Sequence, residues 1–110
     1  MGKQQFPQQQ VDDLEPEFVS EVVGSLRELN ELGKPETNEE LRQRIDDYFS
    51  FCQRTGTRPG IESLCLALHI SRTTLFNWNA GINCNEERQE IISGAKSFIA
   101  AFLEQSMTRG

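Results

Sequence analysis

At 110 residues the chain has the length of one domain with one modest core, which excludes an enzyme built from separate cofactor and substrate domains. Apolar residues make up 36% and charged residues 25%, a lean globular composition in which no apolar run approaches the ~20 residues of a membrane span. Net charge is −6, which taken whole argues against a nucleic-acid partner.

Divided along the chain, the charge is uneven: −5 over residues 1–36, −2 over 37–53, +2 over 54–81 and −1 over 82–110. Residues 54–81 carry Arg54, Arg58 and Arg72 against Glu62 alone. The three cysteines, Cys52, Cys65 and Cys84, are odd in number, 13 and 19 apart and without a CxxC pair. With a single histidine they exclude a zinc finger and argue against a disulfide framework, so reduced and mostly buried thiols are expected, with no metal site. His69 is the sole imidazole available to activate a nucleophile, and it has a structural role to fill instead.

In chain order, residues 1–13 are Gln-rich, with five glutamines in the first ten positions and little to bury, and are expected to be disordered. Residues 14–36 form an acidic amphipathic helix and linker. From Glu15 onward, Phe18, Val22, Leu26, Leu29 and Leu32 recur at helical spacing, and Gly33 and Pro35 end the run. At Thr37-Asn38-Glu39-Glu40 a capping box opens the next helix. Its apolar face is Leu41, Ile45, Tyr48, Phe49 and Cys52, and Gly56 is its expected left-handed stop. Two short helices follow, at about 61–68 and 71–80. The last helix runs from a cap at Asn83 or Asn85 to about Met107. No stretch alternates with period two for more than a few residues, so the fold class is all-α.

Residues 61–80, IESLCLALHISRTTLFNWNA, match the helix-turn-helix template, and residues 37–81 are the expected DNA-binding domain. Leu64 and Leu68 supply the inner face of the first helix, Cys65 is the small residue at the crossing, Ile70 wedges the turn, and Leu75 and Trp78 face back from the second helix. Ser71 is placed to cap that helix by accepting an N–H from Thr73 or Thr74. The departure is His69, which stands where glycine is usual. Histidine is among the non-glycine residues that tolerate positive φ, so the turn is kept.

With Leu75 and Trp78 inward, the candidate DNA-binding residues are Ser71, Arg72, Thr73, Thr74, Phe76 and Asn77, with Arg54 and Arg58 ahead of the motif as backbone contacts. Arginine suits a guanine edge or a phosphate, asparagine pairs bidentately with adenine, and a helix N-terminus attracts phosphate. The competing reading is a plain tri-helical core with a solvated polar face.

The last helix, within residues 82–110, carries two adjoining apolar stripes, 91-95-98-102 and 92-99-103. One stripe is expected to pack inward and the other on a neighbouring copy, with Ile92, Phe98, Ile99 and Phe102 as oligomer-interface candidates and the two phenylalanines as anchors. On spacing alone, both stripes facing a core built with the 18–32 helix is equally open.

The stretch from Thr37 to Gly110, about two-thirds of the chain, resembles the small terminase subunits of tailed phages and prophages of Gram-positive bacteria. The resemblance rests on LRQRIDDYFSFCQRTGTRPGIESLCLALHISRTTLFNW followed by IISGAKSFIAAFLEQSM. The helix-turn-helix half is shared with many regulators. The aromatic Tyr48–Phe51 helix leading into Thr57–Gly60, and the ending LEQSMTRG, are more specific. The resemblance implies a non-catalytic subunit that recognises the phage genome at its packaging site, assembles into an oligomer, often a ring, and hands double-stranded DNA to the large subunit. That large subunit holds the ATPase and nuclease. By the same likeness Arg58, Arg72, Thr73 and Asn77 are DNA contacts, and Phe98 and Phe102 are interface. Family members commonly continue past the equivalent of Gly110 with a further apolar segment, so the chain is expected to be a truncated or shortened member.

Neither a phosphate-binding glycine-lysine loop nor an acidic metal-binding cluster is present in the sequence, so no cofactor, small-molecule substrate or enzymatic activity is expected. The N-terminus MGKQQFPQQQVDD lacks the basic and apolar segments of a secretory signal, and a cytoplasmic location in a bacterial host is expected. A helix-turn-helix transcription regulator that dimerises through 86–107 is the alternative function. A protein–protein adaptor with an acidic surface is a third. A further expectation is that the acidic first helix lies over the basic 54–81 face and competes with DNA.

Overall fold

The structure, a computed structural model, describes residues 16–109, with side chains through Phe102. The Gln-rich segment 1–13 and Glu15 lie outside the described residues. Five helices follow one another: α1 (Pro16–Glu31), α2 (Asn38–Thr55), α3 (Ile61–Leu68), α4 (Arg72–Asn79) and α5 (Glu86–Arg109). Among the described residues there is no strand, and the chain is all-α. None of the described helices is long and apolar enough to cross a membrane.

α2 is the central element. Its start is the expected capping box: the Thr37 hydroxyl accepts from the Glu40 N–H at 3.0 Å, and the Glu40 carboxylate reaches back to the Thr37 N–H. Its end is Gly56 in the left-handed region at φ 73°, with its N–H returned to the Cys52 carbonyl, a geometry that a Cβ would strain. Between them Leu41, Ile45, Tyr48, Phe51 and Cys52 are buried, while Phe49 is half-buried. The core is completed by Leu64, Cys65, Ala67 and Leu68 of α3, Leu75 and Trp78 of α4, and Ile92, Ala95 and Ile99 of α5. Burial pushes the Cys52 and Cys65 thiols upward, as befits packing residues.

α1 packs on α3 and α2. No residue of α1 is fully buried; Val22, Leu26 and Leu29 press on the core from its rim. Leu32, expected on this stripe, is 65% exposed, because the helix ends at Glu31 and the chain turns away through Gly33 at φ 84° to the buried Pro35. The buried face of α2 also carries Arg44, 8% exposed and three positions on from Leu41. Its Nη1 faces the carbonyls of Leu29 (3.2 Å), Gly33 (2.7 Å) and Ala67 (3.0 Å). These carbonyls lie at or just past the C-terminal ends of α1 and α3, the negative ends of both helices, so one buried guanidinium ties the two together.

α5 is capped by Asn85 rather than Asn83: the Asn85 Oδ1 accepts the Arg88 N–H at 2.8 Å, while Asn83 lies in the loop at φ 60°. α5 seats on α2 and α4. Ile92 and Ile99, expected at an oligomer interface, are instead 0% and 2% exposed in the protomer's own core. The groove between α2 and α4 takes that stripe. The partner for α5 is therefore not the 18–32 helix, and the 91-95-98-102 stripe is divided: Ala95 is buried at 5%, Ile91 and Phe102 are half-buried, and Phe98 is 57% exposed. Leu103 lies outside the described side chains.

Candidate nucleic-acid interface

α3 stops at Leu68 because His69 takes the left-handed conformation, φ 57° and ψ 46°. Its N–H returns to the Leu66 carbonyl and that of Ile70 to the Cys65 carbonyl, the paired bonds of a Schellman ending. The turn is braced from outside by α1. The Asn30 side chain donates to the Leu66 carbonyl at 2.8 Å, and the His69 Nδ1 lies 2.9 Å from the Asn30 carbonyl. At the other end of α3, the Tyr48 hydroxyl accepts the Gly60 N–H at 2.8 Å and lies 2.6 Å from the Ser63 Oγ. Burial pushes that phenol up to about 12.

Beyond the turn, the Ser71 hydroxyl accepts the Thr74 N–H at 3.0 Å and also meets the Thr74 hydroxyl at 3.2 Å. Ser71 and Thr74 are thus engaged in the cap of α4. Leu75 and Trp78 turn inward at 2% and 6% exposure. The Arg88 guanidinium covers the indole at 4.6 Å while its Nε donates to Asn38, which joins α4 to the starts of α2 and α5. At its far end, the Asn79 side chain accepts from Ser93 and its carbonyl from the Gln89 amide. Gly81, at φ 81°, leaves room for that amide, which a Cβ would meet at 3.2 Å.

The outward row of α4 is Arg72 and Thr73, both exposed, Phe76, 65% exposed, and Asn77, half-buried. The structure brings these four together and does not gather Arg54 and Arg58 around them. Arg54 pairs with Glu21 of α1 at 3.0 Å. Arg58 lines an apolar groove with Phe49, Pro59, Phe98 and Phe102 on the α2–α5 side. Arg72 itself pairs with Glu62 at 2.7 Å. The local positive charge of residues 54–81 is therefore largely met by carboxylates, one of them from α1.

α1 does not cover the α4 row. It lies on α3 and its Glu21 takes Arg54, so the acidic helix does meet part of the 54–81 segment, but it leaves Arg72, Thr73 and Phe76 exposed. Two residues not singled out in the sequence matter here, Asn30 and Arg44, which bond α1 and α2 to carbonyls of α3, and Glu62, counted there only as a charge, pairs with Arg72. Arg44 carried a visible signal, since it interrupts an otherwise apolar 41-44-45-48 face. The pairing of Asn30 with the turn carried none.

Among the described residues no group of three or more His, Cys, Asp or Glu side chains gathers to hold a metal. Compared with known proteins, the chain matches no family model, no curated sequence and no solved structure.

Proposed function

We propose that this chain is a non-catalytic DNA-binding protein whose α4 enters the major groove, and that it serves as a small terminase subunit recognising viral DNA for genome packaging. The observation that carries the reading is the outward row of α4, where Phe76 stands 65% exposed among Arg72, Thr73 and Asn77. A merely solvated face has no use for so exposed an aromatic beside donors suited to base edges. The Arg72–Glu62 pair does not oppose it. Both side chains lie mostly in water, such pairs contribute at most ~1 kcal/mol, and the contact engages Nη1 alone, so the carboxylate does not withdraw Arg72 from a base edge.

The packaging role rests on the resemblance of residues 37–110. It brings with it self-assembly through Phe98 and Phe102, and a large subunit as partner in the host cytoplasm. The test is a salt-controlled anisotropy titration of duplex DNA with Arg72→Ala combined with Asn77→Ala. Loss of binding with unchanged helical content is expected, and unchanged affinity refutes the contact assignment. Native mass then separates the roles. A closed assembly of many subunits is expected, and a dimer places the transcription regulator ahead.

A further inference from the structure

Glu62 is the one acid between Arg54 and Gly81, and the fold sets it against the first residue of the outward row of α4. Its Oε2 lies 2.7 Å from Nη1 of Arg72, across the turn and ten positions away in sequence. Burial does not account for the pairing, because the side chains are 74% and 68% exposed. Nor does stability, since exposed ion pairs contribute little.

Position is more telling. Glu62 is the second residue of α3 and Arg72 the first of α4, so the ion pair links the first turns of two helices, where backbone N–H groups have no partner within the helix. The N-cap of α3, Gly60, has no side chain to satisfy those groups. A DNA phosphate approaching this edge would seek the same donors and the same guanidinium. Glu62 occupies one of those donors and repels the phosphate from the rest. Yet the pair engages Nη1 alone. The guanidinium keeps Nε and Nη2 for a second partner, the two-pronged arrangement with which arginine takes the O6 and N7 of guanine.

The geometry points to Glu62 as a specificity-determining residue: it denies Arg72 to backbone phosphates and holds it in place for a base edge. This rests on the reading of α4 as the groove-entering helix. It assigns discrimination between DNA sequences to a carboxylate outside that helix.

The experiment uses duplexes enriched from a random library by the intact chain, with a shuffled duplex of equal length and composition as the non-cognate probe. Both are titrated by anisotropy at fixed and varied salt against the wild type, Glu62→Gln, Arg72→Ala and the double variant. Circular dichroism checks that the exposed substitutions leave the helices intact. Glu62→Gln is expected to bind the shuffled duplex roughly three- to tenfold tighter, with a salt dependence steeper by about one counterion. The enriched duplex gains less than about twofold, so the specificity ratio falls, and Arg72→Ala removes the difference. Equal gains on both duplexes, a bulk charge effect, overturn the inference, and so does no change on either. If the wild type binds no duplex at all, the DNA reading itself fails, which is a different result from wild-type binding with an unaltered ratio.

Discussion

α1 and α5 both flank the α2–α4 centre, and both carry apolar residues at helical spacing over four turns or more, yet they are held in different ways. α5 inserts Ile92, Ala95 and Ile99 into the core, whereas α1 buries no residue and presses Val22, Leu26 and Leu29 on its rim. What secures α1 is polar: Arg44 under its C-terminal carbonyls, Asn30 across the turn of α3, and Glu21 on Arg54. An apolar stripe thus announces a helix without saying how much of it the protomer will use. α5 has surplus, shown by Phe98 standing 57% exposed with its ring 4.7 Å from that of Phe49. α1 exposes an apolar side chain too, Val23 at 49%, but it buries none fully, and hydrogen bonds supplement its rim contacts.

The largest effect is expected where α5 enters the core. Ile92→Ala, at a fully buried site, is expected to cost about 2–5 kcal/mol of unfolding free energy in urea titration. Arg44→Met comes next. It removes the cation shared by three carbonyls and should cost about 2–3 kcal/mol, with hydrogen exchange speeding up at the α1 C-terminus and the α3 turn together. A stability loss confined to α1 would show that the guanidinium does not join the two.

Tyr48→Phe tests the opposite end of α3, where loss of the acceptor for the Gly60 N–H should cost about 1–3 kcal/mol. It also has a pH signature. The folded phenol is raised from 10.0 to about 12, so its stabilising contribution is complete below pH 10 and is lost as pH rises from 10 towards 12. Alkaline unfolding in that window should weaken or vanish in the variant, and an identical alkaline limb would count against this burial.

Leu26→Ala on α1 should cost only about 1 kcal/mol, since its side chain is half-buried. A loss equal to that of Ile92→Ala would erase the distinction between the two helices. Smallest for the protomer is Phe98→Asp, expected within about 0.5 kcal/mol of wild type because the residue is largely exposed. It sharpens the comparison by a different readout: sedimentation should shift to the monomer if the surplus stripe joins copies of the chain. An unaltered profile would leave Phe98 without a role in assembly.

Local chemistry was legible in the residues alone. A capping box closes within one turn, so Thr37 and Glu40 announce α2 without reference to the rest of the chain. Gly56 and His69 end helices by their own backbone preferences, Ser71 caps α4 by reaching three residues ahead, and the alternation of Leu75 and Trp78 with Arg72 and Phe76 separates inside from outside. The helix count, the all-α class and the outward row of α4 all follow from interactions of three to five residues' range. Contacts over longer separations were decided by tertiary structure alone. Which stripe of α5 turns inward depends on the groove that α2 and α4 leave, and two stripes of similar hydrophobicity cannot specify that from their own sequence. Arg54 meets Glu21 across 33 residues, and Arg44 meets the end of α3 across 23, distances at which charge and spacing in the chain are silent. The elements and their faces were written in the residues, because those energies are local; which arginines remain on the α4 face depended on packing, because a long charged side chain settles on whichever acceptors come within reach.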